Sequence, residues 1–230
     1  MVEKKGYGQF CPVALASEIL AERWTLLVIR ELSCGSTRFN DLQRGVPRMS
    51  PSLLSRRLRE LAFAGIVEIA PSAEGKGSEY RLTPAGAALS PIIEQMGDWA
   101  VDWLRRELTA DRNLDPDLLM WDVRRRTMQF GELPGGRHVV QFQLSGVPVS
   151  RRFYWLVLDD RETDLCFRDP GFAIDLRVGA HVRTLTRIWL GEVSIPAAVA
   201  DGSLRLEGSR AEVRAFPKWF ALSHFARRAA

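Results

Sequence analysis

The sequence predicts an α+β protein in two domains, and three observations lead there. Apolar residues recur three or four apart over most of the first 110 positions. A single hairpin pattern interrupts them between residues 66 and 82. Beyond residue 114, alternating strand segments appear among shorter helices. A chain of 230 residues, 46% hydrophobic and 26% charged, has ordinary composition for two folded cores. It has no apolar run long enough to cross a bilayer, and its start, MVEKKGYGQF, lacks the apolar core of a secretory signal. A cytoplasmic protein without a membrane partner is therefore expected. Cys11, Cys34 and Cys166 have no paired-ligand spacing and are too few for a disulfide framework, so they read as free thiols.

The elements follow in order. CPVALASEIL and RWTLLVIREL each read as an amphipathic helix, the second ending at Cys34-Gly35. Thr37 is the expected cap of a short helix, RFNDLQRG, with Gly45 as its stop. Ser50-Pro51 starts the next helix, since serine caps well and proline fits the first helical position. On that helix Leu54, Leu58 and Leu61 form one stripe, while Ser52, Ser55, Arg56 and Arg59 share the opposite face. IVEIA, PSAEGKGS and EYRLT then read as strand, tip and strand.

From Thr83-Pro84 a helical pattern runs to about Leu108, with a kink or restart expected at Ser90-Pro91. Leu89, Ile92, Met96, Trp99 and Trp103 lie along its seam, a spacing suited to packing on another helix. The polar stretch TADRNLDPD sets the expected boundary between a domain over 1–110 and a domain over 114–230. The second domain reads as a capped helix, four strands in an antiparallel sheet, two helices, a strand, and a last helix broken or bent at Pro217.

Net charge is only +4, yet the window from Arg38 to Arg59 holds six arginines against one carboxylate, Asp41. A helix with a leucine back and a serine-arginine front suits the major groove of double-stranded DNA, where base edges face the helix and phosphates reward guanidinium groups. The expected contacts are Arg38, Arg48, Ser50, Ser52, Ser55, Arg56 and Arg59, with Lys76 from the hairpin tip. Short helix, reading helix and hairpin together make a winged helix-turn-helix. A merely solvated face is the competing account of the arginines. The order of elements around them favours DNA.

CPVALASEIL, RWTLLVIREL, RFNDLQRGVPRMSPSLLSRRLRELAFAGIVE and EYRLTPAGAAL resemble the HxlR-type winged-helix transcription regulators of bacteria over roughly the first 105 residues. The resemblance implies a nucleoid-associated homodimer, built through its terminal helices, that reads a pseudo-palindromic operator. The wing departs from the family, because PSAEGKG replaces a proline-rich approach to Tyr80. Dimerisation also follows from Trp99 and Trp103, which need cover; the competing reading packs that seam within its own domain. Cys11, at the start of the first helix, is a candidate redox sensor by the same resemblance, with a small buried hydrophobe as the alternative.

IDLRVGAHVRTLTRIWLGEVSIPAAVADGSLRLEGSRAEVRAFPKWF resembles a sterol-carrier-protein type-2 domain. That resemblance implies an apolar tunnel and a hydrophobic small-molecule effector. Trp155, Phe167, Leu185, Trp189, Phe216, Trp219 and Phe220 are candidates to line it, or equally to fill a dry core. His138, His181 and His224 are scattered, and no catalytic or phosphate-loop pattern occurs, so neither an enzyme nor a cofactor is expected. The rival function is a lipid-binding protein whose first domain is only a dimer scaffold.

Overall fold

A computed structural model describes residues 6–72, 77–130, 136–159 and 163–226. The chain divides into two compact units, Met1–Asp98 and Trp99–Ala230, so the division falls earlier than the polar stretch at 109–117. Among the described residues no helix is long and apolar enough to cross a membrane.

The first unit contains α1 (Pro12–Leu20), α2 (Thr25–Ser33), α3 (Phe39–Gly45), α4 (Pro51–Phe63), β1 (Val67–Pro71), β2 (Ser78–Leu82) and α5 (Pro84–Ala87). α6 (Ser90–Trp103) carries the division. The Ser50 hydroxyl caps α4 by accepting the Leu53 N–H at 3.3 Å, with Pro51 in the first turn. Thr37 does not cap α3. Its carbonyl accepts the Tyr80 N–H at 2.8 Å and Arg38 bridges Glu79, so this stretch is extended against β2 and Arg38 becomes the residue before the helix. β1 and β2 pair antiparallel from Val67–Leu82 to Pro71–Ser78. The pattern over 83–108 breaks into three pieces, with Thr83 capping α5, a restart at Ser90, and α7 (Arg105–Leu108) after Trp103. The core gathers Val28, Ile29, Leu42, Leu54, Leu58 and Leu61, each almost wholly buried. α1 and α6 contribute no fully buried residue.

The second unit continues with α8 (Pro116–Phe130), β3 (His138–Ser145), β4 (Phe153–Leu158), β5 (Thr163–Cys166), β6 (Leu176–His181), α9 (Val182–Trp189), α10 (Ile195–Ala200), β7 (Leu204–Gly208) and α11 (Arg210–Trp219). The Asp115 carboxylate accepts the N–H groups of Asp117 and Leu118 at the start of α8. Strand order is β5-β4-β3-β6-β7. The sheet is mixed, which corrects the antiparallel expectation: β3 and β6 are parallel, in register from Val140–Leu176 to Ser145–His181. After β5 the chain crosses to the free edge of β3 instead of adding beside β5, and so arrives running the same way as β3. α11 continues through Pro217 to Trp219 without breaking there. Residues such as Phe142, Leu156 and Val178 from one sheet face join Met120, Leu185 and Phe216 in a single core.

Candidate nucleic-acid interface

The leucine stripe of α4 faces inward and its polar face does not. Leu54, Leu58 and Leu61 are buried; Ser52, Arg56 and Arg59 are exposed, and Ser55 is half-buried. Arg38, Arg48 and Ser50 are also exposed, although the Ser50 hydroxyl is committed to the cap. Lys76 lies outside the described residues. The Gln43 side-chain amide donates to the Met49 carbonyl at 2.6 Å and the Val46 carbonyl at 3.3 Å, which fixes the turn between α3 and α4.

Arg57 separates from its neighbours. Its guanidinium is buried and donates to Glu60 Oε2 at 2.6 Å, Glu22 Oε2 at 3.3 Å and the Arg23 carbonyl at 3.4 Å. It thereby ties α4 to the turn between α1 and α2. In that turn Trp24 has φ +77°, a left-handed conformation costly for a bulky side chain, and the Arg23 guanidinium lies 5.3 Å from the Trp24 ring centroid. Residue 57 stands three after Leu54 and four before Leu61, so helical spacing alone places it near the buried stripe.

A second buried charge sits behind α3. Glu31 is fully buried and accepts from Arg30 at 2.6 Å, and Arg30 also donates to the Gly45 carbonyl at 2.9 Å. Any Cβ on Gly45 would overlap the Glu31 carboxylate, so this glycine permits close approach of α2 and α3 as well as ending a helix. A charged residue within the apolar run of α2 is the sequence signal for it.

Acids on α3, on α4 and in the α1–α2 turn reduce the local positive charge. Glu22 and Glu60 engage Arg57, Asp41 lies 3.4 Å from Arg44, and Glu60 lies 3.9 Å from Arg56. Arg56 and Arg59 also border a cavity of about 460 Å³ lined by Glu18, Ile19 and Glu22 of the α1 side and by Phe63. Phe63 is 92% exposed, as are much of Val13 and Leu15 on α1. On α6, Leu89 precedes the helix and packs partly on the core, whereas Ile92, Met96, Trp99 and Trp103 are exposed, Trp103 by 74%. Cys11 is the half-buried residue before α1 and, like Cys34 and Cys166, a free thiol.

The candidate tunnel residues do not share one space. Leu185, Trp189, Phe216, Trp219 and Phe220 join the core, with Phe216–Trp219 and Phe216–Phe220 ring centroids 5.0 and 5.1 Å apart. Trp155 is buried outside that core, because it follows Tyr154 on β4 and successive strand residues face opposite sides. Phe167 is 43% exposed at the rim, its ring edge-on to Tyr154.

Residues 19–108 match the model of the HxlR-like helix-turn-helix family. YvaP, an HTH-type transcriptional regulator of Bacillus subtilis, is 36% identical over 100 residues, covering 42% of this chain and 92% of the relative. The HTH-type transcriptional regulator sll1512 of Synechocystis is 34% identical over 106 residues, 44% of this chain and 75% of that one. Among solved structures, the reduced form of the transcriptional regulator YodB from B. subtilis is 31% identical, covers 41% of this chain and 95% of its own, and superposes with a TM-score of 0.37.

Proposed function

Because this chain belongs, through residues 19–108, to the HxlR-like helix-turn-helix family, we propose that it is a DNA-binding transcription regulator that acts as a homodimer on a pseudo-palindromic operator. The observation that carries the reading is the outward face of α4: Ser52, Arg56 and Arg59 are accessible on a helix whose other side is leucine core and whose chain continues into a hairpin. Ser52 and Ser55 are suited to base edges; Arg38, Arg48, Arg56 and Arg59 are suited to phosphates or guanine edges. The apolar side chains uncovered on α1 and α6 support a dimer formed through those helices, since a face of that kind is normally covered.

The second unit is proposed to hold an effector. Its order of helix, three-strand meander, crossover strand, two helices, strand and helix supports the likeness to a sterol-carrier-protein type-2 domain. A hydrophobic ligand would have to part the core cluster around Phe216 and Trp219. Coupling of about 1–3 kcal/mol between effector and operator would suffice for regulation.

The test is fluorescence anisotropy with duplexes from the gene's own upstream region over a salt series. Expected is specific binding that falls steeply with salt, and that Arg56→Ala and Arg59→Ala weaken without unfolding the protein. Salt-insensitive or absent binding to every upstream duplex would instead favour a ligand-binding protein with a scaffolding first unit.

A further inference from the structure

We propose that the second unit holds a small oxyanion, a phosphate monoester or a carboxylate, in the crevice at the carboxyl ends of β3 and β6. This site is independent of the hydrophobic effector considered above. β3 and β6 are adjacent and parallel, and the chain leaves them in different directions, β3 toward β4 and β6 into α9. Parallel neighbours whose connections diverge leave an opening beyond their carboxyl ends. Here it is a cavity of about 530 Å³ between the ends of β3 and β6 and the starts of β4 and β7, a volume suited to a small molecule.

The lining is cationic and hydrogen-bonding. Arg152, His181 and Arg205 reach it together with Gln143, Ser145 and Ser203, and no carboxylate is among the lining residues. Several other arginines of this unit meet acids: Arg105 and Arg187 meet Glu192, Arg151 meets Asp117, and Arg183 meets Asp111. Arg152 and Arg205 form no ion pair among the described residues. Two arginines without acids, one from the turn before β4 and one from β7, lining one cavity are what an oxyanion requires. The nearest acids in sequence do not line the cavity: Asp201 accepts the Ser203 N–H at 2.8 Å within its turn, and Glu207, on the same face of β7 as Arg205, stands opposite Arg177 in the register.

Local geometry is arranged around the same point. Arg205 stands opposite Gly179 in the β6–β7 register, and both residues line the cavity. His181 caps α9 through Nδ1, which accepts the Arg183 N–H at 3.1 Å. The opposite edge of the ring packs over Gly146, another lining residue. Gly146 has φ +75°, so both its backbone and the imbedded imidazole edge demand glycine there.

Isothermal titration of the full chain with inorganic phosphate, and separately with succinate, at ionic strength held constant by chloride tests the site. Saturable binding of phosphate would assign a phosphate ligand, and of succinate alone a carboxylate ligand. Arg152→Gln and Arg205→Gln should each weaken binding by about tenfold, whereas Arg177→Gln, exposed on β6 but outside the cavity, should leave it unchanged. The proposal is overturned if neither anion binds saturably, or if Arg177→Gln weakens binding as much as the other two. It is also overturned if the Arg152 and Arg205 variants lose affinity only for a random-sequence duplex, which would make the crevice a nucleic-acid contact.

Discussion

Arg57→Met should destabilise the first unit although it removes a charge from the most basic helix in the chain. Methionine keeps the buried aliphatic stem, so the change isolates the guanidinium. What is lost is one short charge-assisted bond, to Glu60 at 2.6 Å, and two longer ones, to Glu22 at 3.3 Å and the Arg23 carbonyl at 3.4 Å. Removing one member of a fully buried pair costs about 3–5 kcal/mol because the other charge is stranded. That full penalty does not apply here, since the side chains of Glu22 and Glu60 are 38% and 49% exposed and stay hydrated. A hydrogen bond to a charged group contributes about 1.5–3 kcal/mol, and relief of the buried guanidinium's desolvation offsets part of it, leaving a net loss of about 1–3 kcal/mol. Exposed Arg56→Ala and Arg59→Ala should stay within about 0.5 kcal/mol of the parent. Urea unfolding followed by far-ultraviolet circular dichroism reads the difference. If Arg57→Met were as stable as Arg59→Ala, the role given to Arg57 in tying α4 to the α1–α2 turn would be refuted.

Three further outcomes follow from the same packing. Leu58→Ala, which empties a site only 1% exposed, should cost about 2–5 kcal/mol in that unfolding assay. Gly45→Ala drives a Cβ into the Glu31 carboxylate and should lower stability by about 1–3 kcal/mol, a loss that Glu31→Ala in the same chain should not simply add to, since the two residues touch. Burial, and then the hydrogen bond Tyr154 donates to Asp117 at 2.7 Å, raise the Tyr154 phenol pKa well above its ordinary value. The folded state therefore keeps a proton that the unfolded chain releases above about pH 10, so this contribution to stability is complete below that pH and declines above it. Tyr154→Phe should flatten that part of the alkaline decline in thermal melting.

Much of the first unit was legible because its signals are local. A serine-proline pair starts α4, leucines at helical spacing bury one side, and two short alternating runs pair as β1 and β2; each acts over a few residues. The errors arise where distant segments intervene. Thr37 is taken from its cap by β2, some forty residues on. In the second unit alternation correctly located the strands, yet it contains nothing about which edge β6 would join, so the parallel pairing with β3 could not be read. Composition likewise identified large apolar residues without separating the core around Phe216 from Trp155 on the other sheet face. The placement of Arg152 and Arg205 in one crevice depends on that same crossover and was invisible for the same reason.

The folded distribution of charge bears on why two subunits would be needed. Six arginines in one window suggest a strong electrostatic grip, but Arg57 is consumed internally, and Arg44 and Arg56 have carboxylates within 4 Å. Each cation that a single unit brings to a phosphate then adds only about −0.9 to the salt slope of binding. Linking two such units doubles the cations on the duplex and makes the second contact intramolecular, which raises affinity over that of one unit by about 10²–10⁴. Replacing both Trp99 and Trp103 by alanine, on the exposed face of α6, should therefore weaken operator binding and roughly halve its salt slope, while Arg59→Ala should reduce the slope of the proposed dimer by about two. Sedimentation at the concentrations of the binding assay must show the tryptophan variant monomeric. A monomer that kept the parental slope would mean that one unit already makes all the phosphate contacts, and the coupling between the apolar face and the reading helix would be lost.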